Sequence, residues 1–315
     1  MKRRNESGIE VVLRKNIGGI LSISKLAGDA STREYYRINK KDKTFIAMVY
    51  PKIVGDEIDK ILKLSVCFKE AGLNVPEIID RIDENILLLE DLGDLSLQNY
   101  LAESGKKGKV KIKNSITEIL GKIGKIPIDK TDSEMTRDKM EYEIDFFINN
   151  FICRFLPSWD KEEKLRTEIL GKIGKISTQR IFAHRDFHSR NIYIKDGRLY
   201  LIDFQDSLLA PKYYDSVSFV FDSYICQDSS DLFFSIFNNE TKTDMEQVYL
   251  TAYQRIIKAL GTFGYQYFLG NKKFFQYINP AISNLRKNKY FMESDLLVSL
   301  LSEIVKKNGL ITCHS

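Results

Sequence analysis

Cysteine and histidine are scarce in this 315-residue chain, and their scarcity narrows its chemistry. The four cysteines, Cys67, Cys153, Cys226 and Cys313, stand singly, with no C-x-x-C pair and no neighbouring histidine. That scatter gives no readable zinc site or disulfide framework and fits reduced thiols of a cytoplasmic protein. Long apolar runs are missing too. Residues 1–4 are basic, residues 5–10 are polar, and no stretch of signal-peptide or membrane-span length follows, so neither secretion nor membrane insertion is expected. Nor is there a marked surplus of one charge sign. Forty-eight Lys and Arg face 43 Asp and Glu, a formal charge of +5, too dilute to call for nucleic acid or an anionic membrane as partner. What remains, 43% hydrophobic and 29% charged residues, is an ordinary globular composition with core enough for one large or two modest domains.

Short apolar runs at 20–23, 35–38 and 45–50 are separated by Gly28-Asp29 and a 40–43 turn and closed by Pro51. They predict a small antiparallel sheet. Residues 55–73 repeat apolar positions at Ile58, Ile61, Leu62, Leu64 and Phe68, one helical face, and stop at Gly72. Strands at 77–82 and 86–89 fit across Asp83-Glu84-Asn85. The β pattern breaks at Glu90-Asp91-Leu92-Gly93-Asp94, which divides the chain into domains 1–92 and 93–315. Beyond it the pattern predicts helices at 95–104, 112–123, 133–155, 213–228, 231–237, 243–260 and 275–307. One β interruption is expected there, strands 191–194 and 198–202 around an Asp196-Gly197 hairpin turn. The decapeptide TEILGKIGKI occurs at 117–126 and again at 167–176. A single copied helix end does not make a solenoid and carries no function by itself.

Of three histidines, His184 and His188 fall in one window, HRDFHSRN. The window fits the kinase catalytic-loop pattern H-R-D-x-x-x-x-N. Asp186 would accept or orient the proton of an attacking hydroxyl, and Asn191 would offer a neutral oxygen to Mg²⁺. One hairpin later, LIDFQD at 201–206 buries a strand and brings Asp203 out at its end. There a carboxylate can meet Asn191 across the hairpin and hold the metal that bridges the ATP phosphates. D-x-x-x-x-N alone recurs by chance. Its conjunction with H-R-D, a DG hairpin and I-D-F is specific.

HRDFHSRN, LIDFQD and PKYYDSVS at 211–218 together resemble the aminoglycoside phosphotransferase/choline kinase superfamily of small-molecule kinases. LAGDASTREYYRI at 26–38, LLLEDLGD at 87–94 and YQRIIKALGTFGY at 253–265 are similar to its bacterial anomeric kinases of cell-wall amino sugars, the N-acetylmuramate/N-acetylglucosamine 1-kinases. The resemblance implies an α+β, protein-kinase-like bilobal fold with a small β-rich N-lobe, a larger, mostly helical C-lobe, and ATP in the cleft. It implies that Glu90, Asp91 and Leu92 belong to the hinge whose backbone pairs with adenine. Gly28, Asp29, Ala30 and Ser31 would form the loop over the phosphates, where glycine lets the backbone approach an anion and Ser31 adds a hydroxyl donor. His184 would brace the catalytic loop, and Asp215 would accept hydrogen bonds from it. His188 and Arg190, between base and metal ligand, are substrate candidates. Arg190 suits a carboxylate such as the lactyl group of N-acetylmuramate, and Asp206 suits the sugar.

One position departs from the superfamily. Met48 stands where a third-strand lysine touching the ATP phosphates is expected. Arg33 and Arg37, after the GDAS loop and on one strand face, can supply the missing cation. Asp56, Glu57 and Asp59 then serve as helix N-terminal charges. The aromatics of 219–237 and Tyr249, Tyr253, Tyr265 and Tyr267 recur at helical spacing and are expected in the core, with one or two left to stack on a sugar ring.

The resulting expectation is an ATP- and Mg²⁺-dependent kinase that phosphorylates the anomeric hydroxyl of an N-acetylated amino sugar. Such a hydroxyl is more acidic than an ordinary alcohol, so positioning and charge neutralisation would carry most of the rate. One rival is an aminoglycoside or choline-type phosphotransferase, whose cationic acceptors favour an acidic cleft. The last sixty residues instead collect Lys272, Lys273, Arg286, Lys287, Lys289, Lys306 and Lys307. The other is a nucleotide-binding pseudokinase acting as a regulatory module, which the absent lysine encourages and the retention of Asp186, Asn191 and Asp203 opposes.

Overall fold

The alternating pattern of the first ninety residues folds as a five-stranded antiparallel sheet of order β1-β2-β3-β5-β4. In the computed structural model, which describes residues 8–26, 33–52 and 55–309, these strands are β1 Ser22–Lys25, β2 Glu34–Asn39, β3 Thr44–Val49, β4 Ile78–Asp83 and β5 Ile86–Glu90. Alternate residues of a strand share a face. Tyr36 and Ile38, Ala47 and Val49, and Ile86 and Leu88 accordingly form one apolar surface, buried against Leu13 and Ile17. Leu13 lies in α1, Gly8–Asn16, a helix that the polar run at 5–10 hides in the sequence because only Leu13 within it is fully buried. Helix α2, Gly55–Glu70, buries Ile58, Ile61, Leu64 and Phe68 at the expected spacing. Gly72, at φ 70°, turns the chain out of it.

The other helices are α3 Leu97–Glu103, α4 Lys106–Ile123, α5 Arg137–Phe147, α6 Cys153–Phe155, α7 Glu162–Ile173, α8 Tyr214–Val220, α9 Gln227–Phe234, α10 Lys242–Phe268, α11 Ile278–Arg286, α12 Lys289–Met292 and α13 Asp295–Lys307. The helix expected over 133–155 starts later, where the Thr136 hydroxyl caps the Lys139 N–H, and widens into a π turn at Ile148–Ile152. The helix expected to stop at Leu260 runs on to Phe268. Gly261 and Gly264 look like breaks but are packing contacts: a Cβ on Gly261 would lie 2.9 Å from Phe147 Cα, and one on Gly264 2.5 Å from the Asn150 carbonyl. Both copies of the decapeptide are helix ends, of α4 and α7. Each buries its isoleucines (Ile119, Ile123 and Ile126; Ile169, Ile173 and Ile176) and finishes at a glycine, Gly124 or Gly174, whose N–H bonds back to Leu120 or Leu170. No helix among the described residues is long and apolar enough to cross a membrane.

Two further strand pairs frame the polar window. Strand β6, Arg180–Ala183, pairs antiparallel with β9, Leu208–Pro211, a ribbon that no local turn announces in the sequence. Strands β7, Ile192–Lys195, and β8, Arg198–Leu201, form the expected hairpin. Its turn residues Asp196 and Gly197 both have positive φ, 50° and 72°, as a two-residue type I′ turn requires.

Contacts divide the chain into two units. The first comprises the residues up to Leu95 together with Tyr193–Gln205, the second Ser96–Ile192 together with Asp206 onward. In place of one cut after residue 92, the hairpin therefore returns to the sheet unit. The Leu201 N–H donates to the Asn74 carbonyl at 2.9 Å, Asn74 Nδ2 donates to the Leu199 carbonyl at 3.0 Å, and Phe204 packs on Phe68 with ring centroids 5.2 Å apart.

Candidate active site

Strand β6 feeds directly into HRDFHSRN, and two buried carboxylates hold the loop's backbone. Asp215, in the first turn of α8, accepts the N–H of His184 at 2.6 Å and that of Arg185 at 3.0 Å. Asp222, just beyond α8, accepts the Ser189 N–H at 2.8 Å, the Ser189 hydroxyl at 2.6 Å and the Tyr224 N–H at 2.8 Å. Leaving such a group unbonded in a buried place costs about 1–3 kcal/mol, so these carboxylates strongly favour one loop conformation. That conformation is strained at Arg185, whose φ of 77° lies in the left-handed region. Non-glycine residues stay there only when their surroundings hold them, and the Asp215 bonds provide the hold.

Asp186 comes next. Lys258 Nζ lies 3.4 Å from its Oδ1 and Arg255 Nη2 3.9 Å from the same atom. Burial opposes ionisation here, but Lys258, then Arg255, Arg185 and His188 hold the carboxyl far below its ordinary value. A carboxylate held so is a weak base that orients a hydroxyl by accepting its hydrogen bond and takes the proton late. Its side chain remains 27% exposed, within reach of a solute. Arg255 is fully committed to the protein: Nη1 donates to Tyr214 Oη at 2.7 Å, Nε to Ser218 Oγ at 2.8 Å and Nη2 to the Arg185 carbonyl at 3.3 Å. It also stacks over the Tyr214 ring at 4.4 Å. The Asn191 amide donates from Nδ2 to the Asp186 carbonyl at 3.0 Å, which fixes the direction of its Oδ1.

Within the sheet unit, Arg37 of β2 grips the segment after β5. Its Nη2 donates to Asp91 Oδ1 at 3.0 Å, its Nε lies 2.7 Å from Oδ2, and its Nη1 reaches Asp94 Oδ1 at 2.9 Å. Asp91 also accepts the Gly93 N–H at 2.9 Å. Burial again works against the charge, and the Gly93 N–H with Arg37 keeps this carboxyl below its usual value. Lys195 of β7 donates to Glu90 Oε1 at 2.7 Å and to the Asp91 carbonyl at 2.9 Å. Leu92 is buried beside them. Arg37 thus faces carboxylates in this structure. Arg33 donates to Asp203 Oδ1 at 3.0 Å, an atom that also accepts Gln205 Nε2 at 2.9 Å. Asp203, an expected site residue, likewise sits in the left-handed region, at φ 63°. Met48 is buried in β3, opposite Tyr35 and Leu87. Gly28, Asp29, Ala30 and Ser31 lie outside the described residues.

The donors expected for magnesium, the Asn191 carbonyl oxygen and the Asp203 carboxylate, are hard oxygens of the kind this ion prefers. Asn191 belongs to the second unit and Asp203 to the first. Among the described residues no group of three or more His, Cys, Asp and Glu gathers as a metal cage.

The substrate candidates fall in two places. His188 meets Tyr224 edge-on at 5.2 Å, and the Arg190 guanidinium lies 4.8 Å from the same ring and 6.0 Å from Tyr277, so both belong to one aromatic wall. Asp206 Oδ1 stands 3.8 Å from Arg185 Nη1. His184 is fully buried and edge-on to Phe187 at 5.9 Å. Sequence reasoning missed Asp222, Arg255 and Lys258. Signals existed: Asp222 follows Asp215 by two helical turns, and Arg255 and Lys258 are cations one turn apart in an otherwise apolar run.

The family described as the phosphotransferase enzyme family (APH) matches residues 22–250. The N-acetylmuramate/N-acetylglucosamine kinase of Neisseria meningitidis is 25% identical over 207 residues, 63% of this chain and 61% of that protein, so the chain spans about three fifths of that relative's length. An aminoglycoside 3'-phosphotransferase of Enterococcus faecalis is 24% identical over 214 residues, 64% of this chain and 80% of that one. A crystal structure of a thermostable mutant of aminoglycoside phosphotransferase APH(4)-Ia, in ternary complex with ADP and hygromycin B, has TM-score 0.64 at 13% identity and covers 90% of this chain and 99% of that chain. The fold is thus the kinase-like fold of small-molecule phosphotransferases. The chain belongs to the phosphotransferase enzyme family.

Proposed function

We propose that the protein is an ATP- and Mg²⁺-dependent kinase that transfers the γ-phosphoryl group to the anomeric hydroxyl of an N-acetylated amino sugar, N-acetylmuramate or N-acetylglucosamine. The observation that carries this reading is the state of Asp186. A carboxylate held ionised by Lys258 and Arg255 orients a hydroxyl well and deprotonates it poorly, which matches an acceptor whose own acidity is high. The Neisseria relative supports the choice of sugar. In this reading Asp186 holds the acceptor oxygen toward the phosphorus, and His188, Arg190 and Asp206 contact the rest of the sugar. Glu90, Asp91 and Leu92 present backbone to adenine. Gly28, Asp29, Ala30, Ser31 and Arg33 meet the phosphates, Arg37 holds Asp91 and Asp94 in place of a phosphate contact, and His184 and Asp215 keep the catalytic loop in place. Asn191 and Asp203 hold magnesium, which when bound neutralises charge on the phosphates.

A second reading, an aminoglycoside phosphotransferase, is favoured by the Enterococcus relative. It fits less well, since an ammonium-rich acceptor would meet Lys258 and Arg255 beside Asp186. The test is ³¹P NMR of the protein with MgATP and N-acetylmuramate, N-acetylglucosamine, glucose, kanamycin or choline, with Asp186→Ala as control. The expected result is a sugar 1-phosphate signal that falls by about 10² to 10⁴ in rate in the variant. Product from kanamycin or choline alone would refute the sugar reading. No product from any of them, with ATP still bound, would mean either an acceptor outside the panel or a pseudokinase.

A further inference from the structure

We propose that Lys258 is a catalytic residue, its ammonium holding the acceptor hydroxyl beside Asp186 and meeting the negative oxygens of the phosphoryl group as that group moves onto the acceptor. The inference rests on the kinase reading and adds to it a cation that neither the H-R-D nor the I-D-F segment contains.

Lys258 and Arg255 sit one turn apart on α10, yet the structure uses them differently. Arg255 spends its donors on Tyr214, Ser218 and the Arg185 carbonyl. It is the brace of the loop and is almost wholly buried. The Lys258 ammonium has one hydrogen-bond partner among the described residues, Asp186 Oδ1 at 3.4 Å. An ammonium carries three donors, so two N–H groups remain that no described residue takes up. The lysine side chain is 23% exposed and that of Asp186 27%, so the pair opens to solutes at the point where a hydroxyl would bind. A hydroxyl donating to Asp186 at the usual distance of about 2.7 Å lies within hydrogen-bonding range of an ammonium beside the same carboxylate.

The surroundings agree with a cation that awaits an anion. Lys258 is faced by Asp186 and Arg185 from the catalytic loop, by Arg255 on its own helix and by Glu143 on α5. Burial first, with the two arginines, lowers its proton affinity, and Asp186 and Glu143 raise it. The charged oxygens of the phosphoryl group, drawing close as it moves onto the acceptor, would tip this balance toward the ammonium, so the stabilisation is greatest in the transition state. In the step itself the acceptor oxygen forms its bond to the γ-phosphorus as the bond from that phosphorus to the β,γ-bridging oxygen breaks, and the electron pair of the broken bond leaves on ADP. The hydroxyl proton passes to Asp186 late and then to water. Lys258 keeps its proton throughout. The same ammonium would repel an acceptor bearing its own ammonium next to the reacting hydroxyl.

The test uses the full chain, MgATP, the acceptor panel above, and the variants Lys258→Met, Lys258→Ala and Lys258→Arg. Lys258→Met should lower kcat by about 10² to 10³, with KM for MgATP and the melting temperature near wild type. In Lys258→Ala, whose shortened side chain leaves room for it, ethylammonium added to the solution should restore part of the lost rate. Lys258→Arg should retain more activity and move the alkaline fall of kcat to higher pH, because guanidinium keeps its proton where the lysine loses it. A Lys258→Met enzyme with near wild-type kcat would overturn the inference and leave the sugar-kinase reading standing. A loss accompanied by a lower melting temperature and not restored by ethylammonium in Lys258→Ala would overturn it as well, reducing Lys258 to a packing role. Wild-type activity on kanamycin and no sugar would instead refute the functional reading on which the inference rests.

Discussion

Arg37 and Asp91 form a two-pronged ion pair within the sheet unit, with N–O separations of 2.7 and 3.0 Å and only 5% of the Asp91 side chain exposed. Removing the guanidinium leaves a buried carboxylate with the Gly93 N–H as its main support. For Arg37→Met we expect a loss of about 2–3 kcal/mol in urea unfolding at neutral pH, below the full value of a buried pair because Arg37 is partly solvated.

The same pair predicts a pH dependence. The folded Asp91 carboxyl titrates below its ordinary value of 3.8. Its contribution to stability is therefore complete above that value and is lost as the pH falls through the lower, folded one. Wild type should lose stability on the acid side of pH 3.8, and Arg37→Met should show a shallower acid limb. Equal slopes in the two proteins would remove Asp91 as a source of the dependence.

Asp215 supports the catalytic loop through the N–H groups of His184 and Arg185. Asparagine at that position keeps a single acceptor oxygen, so one buried N–H loses its partner. Asp215→Asn should cost about 1–3 kcal/mol. It should lower kcat with little change in KM for MgATP, since the loop that carries Asp186 is what relaxes. A variant with unchanged kcat would show that the loop holds its shape without this anchor.

What the sequence disclosed and what it withheld follow from the range of the interactions. HRDFHSRN and LIDFQD were legible because both are local runs of unusual residue types, and the Asp196-Gly197 turn because its backbone demands those residues. The sheet was legible through its period-two burial. Strands β6 and β9, four residues each like β7 and β8, were not, because the catalytic loop and the hairpin lie between them and no local turn joins them. Helix α1 was hidden by having one fully buried residue. The return of the β7–β8 hairpin to the sheet unit depends on Asn74 and Phe68, more than a hundred residues away, which no local pattern encodes. The partners of the site, Asp222, Arg255 and Lys258, are of the same long-range kind. YQRIIKALGTFGY stood out in the sequence as a resemblance, and the structure supplies its physical content: two cations beside the catalytic loop and two glycines against α5 and the π turn.

Asp203 pairs with Arg33 at 3.0 Å and occupies a strained backbone position. If its carboxylate is a magnesium ligand, Asp203→Asn removes the charge while keeping the shape. The Mg²⁺ concentration for half-maximal rate should then rise by about tenfold or more, the scale on which changes around metal ligands act. An unchanged magnesium requirement would assign Asp203 to holding Arg33 alone.

The glycines of α10 and of the repeated decapeptide make a paired test of packing. A Cβ on Gly264 would lie 2.5 Å from the Asn150 carbonyl and 3.0 Å from Phe151 Cδ2. The first of these is backbone and cannot turn aside, so either α10 or the π turn must shift. Gly264→Ala should therefore destabilise by about 1–3 kcal/mol, as overpacking does. Because α10 also carries Arg255 and Lys258, kcat should fall with it. Gly121 and Gly171, at matching places in the two copies, meet nothing within 4 Å. Both lie inside helices, where alanine is favoured over glycine by about 0.5–1 kcal/mol. Gly121→Ala and Gly171→Ala should each raise the melting temperature and leave kcat alone. Opposite signs for residues of one type, in helices of one chain, would show that proximity to Asn150 and not helix propensity governs Gly264. Stabilisation by Gly264→Ala would mean that α10 does not pack against the π turn as closely as the structure has it.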